Sequence, residues 1–429
     1  MLFEDIKIVD REFQIREHMF VGTEGPYIRY VGDRAPLKEY GSRYDGRRKL
    51  LMPGFYNTHC HVPMTLLRGL GEGLPLHRWL NEKVFPFEAK MSRDDVYKGT
   101  LLGAMELMAS GCVSISDTYF LIQQIAEALY ESGMKANVSH SFGGTEPDAD
   151  IRATSRYTDT VETAGLIRHM EGRILLDVGL HAEYTSNERV ARQVAELAKE
   201  YDAIVQAHAS ETEKEHQECK ERHGGRTPLR YFHDCGLMDT RLIAAHCIYA
   251  EEEDLDLMRE KGAVMAHNPS SNLKLGSGIV RIRDFMDRGV SVTIGTDGPS
   301  SNNNLNFMEE LHLAALLSKG STKDCNSVSD AELLRMATRG GALAQGREDC
   351  GLLDEDFRAD LIVIDLDRPH MQPDYDTLSN LLYSAQASDV CMTMIDGKVV
   401  YMDGEFTTLD REKIIAEASE AQQRIMKSL

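Results

Sequence analysis

The sequence lacks the features of a membrane, secreted or nucleic-acid-binding protein. No apolar run approaches the roughly 20 residues that a helix needs to cross a bilayer. The N-terminal segment Met1–Asp5 has no basic stretch followed by an apolar one, so we expect no signal peptide. Basic residues are outnumbered by acidic ones, 48 to 69, and the net charge of −21 would repel a nucleic acid or an anionic membrane surface.

Paired cysteines are missing as well. The eight cysteines show no paired spacing, and Cys60, Cys112 and Cys247 lie inside apolar, strand-like runs. A reduced cysteine in such a run behaves as a small hydrophobe, so we expect a cytoplasmic location. With 42% hydrophobic residues, the chain can bury one large core and a smaller one.

Short apolar strands alternate with helical patterns from about Met52 onward. The apolar run Leu50–Phe55 leads into His59 as the first strand, and Thr185–Glu188 resembles a capping box that starts a helix. Seven more strand candidates follow: Cys112–Tyr119, Lys135–Phe142, Ile174–Ala182, Ala203–Glu211, Arg241–Ala250, Ala263–Pro269 and Val290–Gly298. Eight strands alternating with helices predict the α/β class and a (β/α)8 TIM barrel.

The two ends of the chain have a different pattern, with short strands and turns. We predict that residues 1–52 and 351–410 meet as one small outer β-domain, a β-sandwich. The barrel then occupies residues 53–350, and residues 411–429 form a C-terminal helix.

Polar residues stand at the ends of the barrel strands, where the functional groups of such barrels gather. In chain order they are His59, His61, His181, His208, His246, His267 and Asp297. His59 and His61 face the same side of their strand, because strand side chains alternate. One buried histidine is usually a structural hydrogen-bonding group, but a series of them is most simply explained by a shared metal centre.

The grouping makes chemical sense as a hydrolytic site. His59, His61 and His208 would supply three nitrogens and Asp297 a carboxylate, which leaves one position open for a water that the metal activates. Asp297 would take the proton of that water. Glu211, three residues after His208, would lie near the metal and hand a proton to the substrate.

Several motifs together resemble the amidohydrolase superfamily, in particular its deaminase branch. They are Pro53–Phe55, Asn57–His61, His208–Thr212, Ala245–Cys247, His267–Asn272, Gly295–Gly298 and, in the outer domain, Ala359–Asp365. Within that branch, Met64–Gly69 and Asn272–Gly276 are most similar to S-adenosylhomocysteine / 5′-methylthioadenosine deaminases.

The resemblance implies a role for each residue. The implied ligands of one divalent metal ion are His59, His61, His208 and Asp297. Glu211 is the implied proton shuttle, His246 orients the attacking water and His181 binds substrate. Zinc is the expected ion, and iron, nickel and manganese remain alternatives. One ion is expected because Ile174–Ala182 has no lysine that could be carboxylated to bridge two.

The implied reaction is hydrolytic deamination of an adenosine-type nucleoside, which makes the protein a metal-dependent aminohydrolase. The substrate would be adenosine, 5′-deoxyadenosine, 5′-methylthioadenosine or S-adenosylhomocysteine, converted to the inosine analogue and ammonia. Glu88 stands where the family binds the ribose hydroxyls, and Arg156 where it binds an amino-acid carboxylate. His140 replaces an expected second arginine and the loop 143–154 is acidic, which favours substrates without the carboxylate.

Weaker candidates and alternatives remain open. Further pocket candidates are His267, Ser300, Trp79 and His140, whereas His77, His169, His216, His223, His233, His312 and His370 are expected to be solvated. Another heterocycle (guanine, pterin or triazine) is an alternative substrate, and an inactive scaffold is a less favoured alternative. A cytidine-deaminase fold is rejected, because no Pro-Cys-x-x-Cys follows His181-Ala182-Glu183. We expect a purine nucleoside as the partner, no nucleic acid and no membrane, and a homo-oligomer is left open.

Overall fold

A parallel barrel forms the larger part of the molecule in the computed structural model, which describes residues 1–429. Its strands are β6 (Phe55–Cys60), β7 (Cys112–Tyr119), β8 (Lys135–Phe142), β9 (Ile174–Leu176), β10 (Val178–Leu180), β11 (Val205–Ala209), β12 (Leu242–His246), β13 (Val264–His267) and β14 (Ser291–Ile294). They pair in parallel in chain order, with β9 and β10 as two halves of one strand that is interrupted at Asp177. The Asp297 N–H donates to the His59 carbonyl at 3.0 Å and nearly closes the ring. The predicted (β/α)8 barrel is confirmed.

The two chain ends build a second sheet. The N-terminal strands are β1 (Leu2–Val9), β2 (Ile15–Glu24), β3 (Tyr27–Gly32), β4 (Arg43–Asp45) and β5 (Lys49–Pro53). The C-terminal strands are β15 (Leu361–Asp365), β16 (Val390–Ile395), β17 (Lys398–Met402) and β18 (Glu405–Phe406). Strands β5 and β15 pair antiparallel, and this pairing joins the two halves in the order β18-β17-β16-β15-β5-β1-β2-β3, with β4 beside β1. The terminal segments therefore form a separate sheet, as expected, and the exact domain boundaries stay a prediction.

Helices fill the connections between the barrel strands and cover the terminal sheet. The α-helices are α1 (Leu76–Trp79), α2 (Phe85–Glu88), α3 (Arg93–Ala109), α4 (Ile122–Ser132), α5 (Ser155–Leu166), α6 (Glu188–Tyr201), α7 (Glu213–Arg222), α8 (Pro228–Asp234), α9 (Glu252–Lys261), α10 (Pro269–Lys274), α11 (Ile282–Asp287), α12 (Phe307–Thr322), α13 (Asp330–Arg335), α14 (Gly341–Ala344), α15 (Thr377–Tyr383) and α16 (Arg411–Met426). The π-helical turns Leu80–Val84 and Met336–Gly340 join α1 to α2 and α13 to α14. Short 3-10 helices span Val62–Leu67, Ile151–Ala153, Ile167–His169, Glu183–Thr185, Leu237–Asp239, Pro369–Met371 and Ala387–Asp389. No helix combines the length and the apolar character that crossing a membrane would take.

Two local predictions were wrong. The run from Leu50 into His59 is two strands, because the chain leaves the terminal sheet after Pro53 and enters the barrel at Phe55. Gly54 sits between them so close to Val113 that a Cβ would lie 2.3 Å from that side chain.

The predicted capping box at Thr185 is also wrong. Asn187 caps α6 instead, accepting a hydrogen bond from the Val190 N–H at 2.9 Å. The Thr185 hydroxyl oxygen lies 2.9 Å from Nδ1 of His181 at the barrel mouth. The hydroxyl makes this contact and does not cap the helix.

A buried ion pair ties the barrel to the terminal sheet. The Lys135 ammonium, on β8, lies 2.5 Å from Asp360 and 2.8 Å from Asp396. Lys135 and Asp360 are almost completely buried. Large apolar clusters pack between the barrel and its helices, and a smaller one packs on the terminal sheet.

Candidate active site

Three imidazoles and a carboxylate converge at the C-terminal mouth of the barrel. Oδ1 of Asp297 lies 3.1 Å from Nε2 of His61 and 3.6 Å from Nε2 of His59. Nε2 of His208 lies 3.3 Å from Nε2 of His61. Nε2 of His59 is buried and has no hydrogen-bond partner. Buried polar atoms normally have a partner, so this nitrogen is available to bind a cation. Two overlapping groups, His59 with His61 and His208 and His59 with His246 and Asp297, have ligand atoms close enough to hold a cation. Three imidazole nitrogens with the Asp297 oxygen fit a divalent metal ion.

Backbone carbonyls orient two of these imidazoles. Nδ1 of His61 donates to the carbonyl of Thr118 at 2.5 Å, and Nδ1 of His208 donates to the carbonyl of His181 at 2.5 Å. With the proton held on Nδ1, the lone pair of Nε2 points into the cluster on both rings. Such outer contacts are the usual support of a histidine metal ligand.

Asp297 is held by its own loop. Its backbone is left-handed, with φ of 58°, and its Oδ1 accepts from the Gly298 N–H at 2.8 Å. Oδ2 accepts from the hydroxyls of Ser271 at 2.5 Å and Ser301 at 3.0 Å. Burial would raise the pKa of Asp297, but the neighbouring imidazoles hold it well below its usual range. The carboxylate is therefore ionised, with one oxygen directed at the imidazoles.

Glu211 and His246 face this cluster from the adjacent strand ends. Oε2 of Glu211 is 3.9 Å from Nε2 of His246, and Oε1 accepts a hydrogen bond from the Ser277 hydroxyl at 3.4 Å. Nδ1 of His246 donates to Oδ1 of Asn272 at 2.8 Å, so its Nε2 is free to face the cluster. Burial raises the pKa of Glu211, which suits a group that carries a proton.

The cluster lies at the floor of a cavity of about 680 Å³, large enough for a nucleoside. Burial raises the pKa of Glu88, on its wall, to about 7, and the neighbouring Tyr119 opposes that rise. The Arg156 guanidinium donates to the carbonyl of Ser141 at 2.7 Å. Apolar side chains cover part of the remaining wall: Met64, Leu76, Trp79, Leu80, Val84, Phe85, Phe120 and Leu275.

The structure brings most of the predicted site residues together. Those that line the cavity are His61, Trp79, Glu88, Arg156, His181, His208, Glu211, His246 and Asp297, with His59 beneath them in contact with His61. Three candidates are not on the wall. His140 is buried 3.6 Å from Asp159 of α5, whereas its neighbour Ser141 lines the cavity. His267 and Ser300 are buried outside the cavity lining.

One histidine expected to be solvated is buried instead. His216 on α7 has its ring 3.1 Å from the Ser210 hydroxyl and 3.1 Å from Glu251, because α7 folds back onto the turn that follows β11. Sequence reasoning also missed Tyr119, which ends β7 and lines the cavity, although its position at a strand end was a usable signal. Ser271 was inside a recognised motif, but nothing local indicated its contact with Asp297.

Comparison with known proteins agrees with this geometry. Residues 50–400 match the model of the amidohydrolase family. A 5-methylthioadenosine/S-adenosylhomocysteine deaminase of Dictyoglomus thermophilum is 38% identical over 97% of both chains. A 5′-deoxyadenosine deaminase of Methanopyrus kandleri is 36% identical, over 94% of this chain and 93% of its own. The crystal structure of an adenosine deaminase from Xanthomonas campestris with bound zinc superposes with a TM-score of 0.94 at 30% identity, covering 99% of this chain and 98% of that one.

Proposed function

The chain belongs to the amidohydrolase family, and from this membership we propose that it removes the amino group of an adenosine-type nucleoside by hydrolysis. Water adds to the ring carbon that bears the amino group, and the products are the inosine analogue and ammonia. The substrates considered are adenosine, 5′-deoxyadenosine, 5′-methylthioadenosine and S-adenosylhomocysteine. The observation that carries the proposal is the cluster of His59, His61, His208 and Asp297 with Glu211 beside it, at the floor of a nucleoside-sized cavity.

The residues divide the proton transfers between them. A divalent cation held by the three imidazoles and Asp297 would lower the pKa of a water molecule toward neutrality. Asp297 accepts the proton of that water, and its low pKa keeps it ionised for this task. Glu211, with its raised pKa, delivers a proton to a ring nitrogen. His246, fixed by Asn272, orients the attacking water.

The cavity wall supplies groups for the rest of the nucleoside. Glu88 accepts hydrogen bonds from the vicinal ribose hydroxyls, which suits an ionised carboxylate. His181 contacts the substrate beside the metal ligands, and Arg156 lies at the cavity rim with a charge for an acidic 5′ substituent. The apolar stretch of wall suits a methylthio or deoxy 5′ end.

The cofactor and location follow the same reasoning. We assign one Zn²⁺, with iron, nickel or manganese as the alternatives for a site of three nitrogens and one oxygen. All eight cysteines are free and all but Cys325 are buried, which supports a reducing, cytoplasmic setting.

The test is ammonia release by zinc-loaded protein from the four nucleosides, with guanine, cytosine and a triazine as comparison substrates. We expect turnover of the nucleosides and little of the others. Absence of ammonia from every nucleoside at full metal occupancy would refute the proposal, and preference for guanine or a triazine would replace it with the alternative of another heterocycle.

A further inference from the structure

We propose that Glu215 is a positioning residue that aims Glu211 at the substrate. The proposal rests on the role given to Glu211 above. Glu215 lies in the first turn of α7, one helical turn beyond Glu211, and its side chain turns back toward the end of β11. Glu215 does not itself line the cavity, so it would act through the backbone groups that it bonds.

The Glu215 carboxylate accepts hydrogen bonds from three consecutive backbone N–H groups. Oε1 accepts from Ser210 at 3.0 Å, and Oε2 accepts from Glu211 at 2.7 Å and from Thr212 at 3.4 Å. Both Glu211 and Glu215 are about 5% exposed, so water does not compete for these donors. Burial raises the pKa of Glu215 to about 7, and the hydrogen bonds from the Glu211 and Thr212 N–H groups oppose that rise. The three bonds fix the peptide groups that they belong to.

The turn that Glu215 holds is strained. Ser210 has a φ of 50°, a left-handed conformation that a serine rarely adopts without support. This bend turns the chain between the metal ligand His208 and Glu211. His216 supports the same bend through the Ser210 hydroxyl, 3.1 Å from its Nδ1. Without the three bonds to Glu215, the turn would relax and the carboxyl group of Glu211 would move with it.

Helix capping alone does not explain this arrangement. Thr212 and Glu215 do form a capping box, in which the acid accepts from the N-cap N–H. Glu332 forms the same capping box with Ser329 at the start of α13, and there the acid accepts hydrogen bonds from the N-cap residue only, with Arg283 as an ion-pair partner at 3.6 Å. Glu215 additionally bonds the two residues that precede its N-cap, one of which is Glu211. One of these extra bonds therefore holds a residue that lines the cavity.

The experiment compares Glu215→Ala and Glu215→Gln with Glu332→Ala as the matched control. Glutamine keeps an oxygen that can serve Glu211 and Thr212 but loses the acceptor for Ser210. For Glu215→Ala we expect kcat to fall about 100-fold and KM to change less than about threefold, as a displaced catalytic group predicts. Glu215→Gln should recover part of the loss, to within about 10-fold of the wild type. Metal content should stay at the wild-type value, and Glu332→Ala should leave kcat unchanged.

A crystal structure of Glu215→Ala separates this proposal from the assignment of the reaction. We expect Glu211 to be displaced while the imidazole cluster and α7 remain in place, whatever substrate the enzyme turns over. An unmoved Glu211, a kcat within about twofold of the wild type, or a loss of kcat that follows a loss of metal would each overturn the proposal. If the alanine variant does not fold, Glu215→Gln decides: wild-type kcat in that variant would overturn it as well.

Discussion

The most direct test of the site is Glu211→Gln. Glutamine has nearly the same shape as glutamate, and its oxygen can still accept the hydrogen bond from Ser277. It cannot hold or release a proton at neutral pH. The change therefore removes the proton transfer that we assign to Glu211 and leaves the packing, the cavity and the imidazole cluster as they are.

The size of the effect follows from the position of the side chain. Glu211 is buried beside His246 and lines the cavity, where it can reach a bound substrate. A positioned acid or base contributes about 10²- to 10⁴-fold to a rate. We expect kcat to fall about 10³-fold, or about 4 kcal/mol in activation free energy. KM should change little, because Glu211 is assigned to the transition state and not to the ribose.

The assay is steady-state ammonia release with the metal content measured on the same samples. Glu213→Gln is the matched control, since it makes the same replacement on an exposed residue two positions along the chain and should leave kcat at the wild-type value. A Glu211→Gln enzyme with full metal and a kcat within about threefold of the wild type would refute the assigned proton transfer. A variant that loses its metal would instead show that Glu211 holds the centre together.

Three further predictions concern the metal, the ribose and the fold. Removing the metal with a chelator should abolish ammonia release while the circular dichroism spectrum stays native, and added zinc should restore activity. Full activity in metal-free protein would contradict the assignment of a metal to this site. The affinity for adenosine should rise as pH increases through about 7, because burial raises the pKa of Glu88 to about 7 and only the ionised form accepts hydrogen bonds from both ribose hydroxyls. The test compares the pH profiles of KM for the wild type and Glu88→Gln. Parallel profiles would refute the contact between Glu88 and the ribose. Lys135→Met should lower the free energy of unfolding by about 3–5 kcal/mol, because it leaves the buried Asp360 without its cation, whereas Asp396 keeps its ion pair with Arg358 at 3.3 Å. Urea unfolding measures this against the exposed control Lys398→Met, and equal stability of the two variants would contradict the role of the ion pair.

The local pattern of the chain was enough to predict the barrel and which polar groups gather at its mouth. Alternation of apolar strands with helices depends on near neighbours, and β7 and β8 have the predicted bounds for that reason. The polar residues at the strand ends were visible in the same way, because parallel strands in a barrel bring their C-terminal ends to one face. His59 and His61 needed only the two-residue period of a strand.

Long-range packing decided the features that the sequence left open. The break at Gly54 depends on how close Val113 comes from another strand, and the burial of His216 depends on how α7 packs against the turn after β11. The three bonds to Glu215 depend on a left-handed turn, and no sequence pattern indicates the direction of the N–H groups in that turn. Residue types and local spacing thus determined which groups are present, whereas the tertiary structure decided where their hydrogen bonds point, since those directions are set by contacts between segments far apart in the chain.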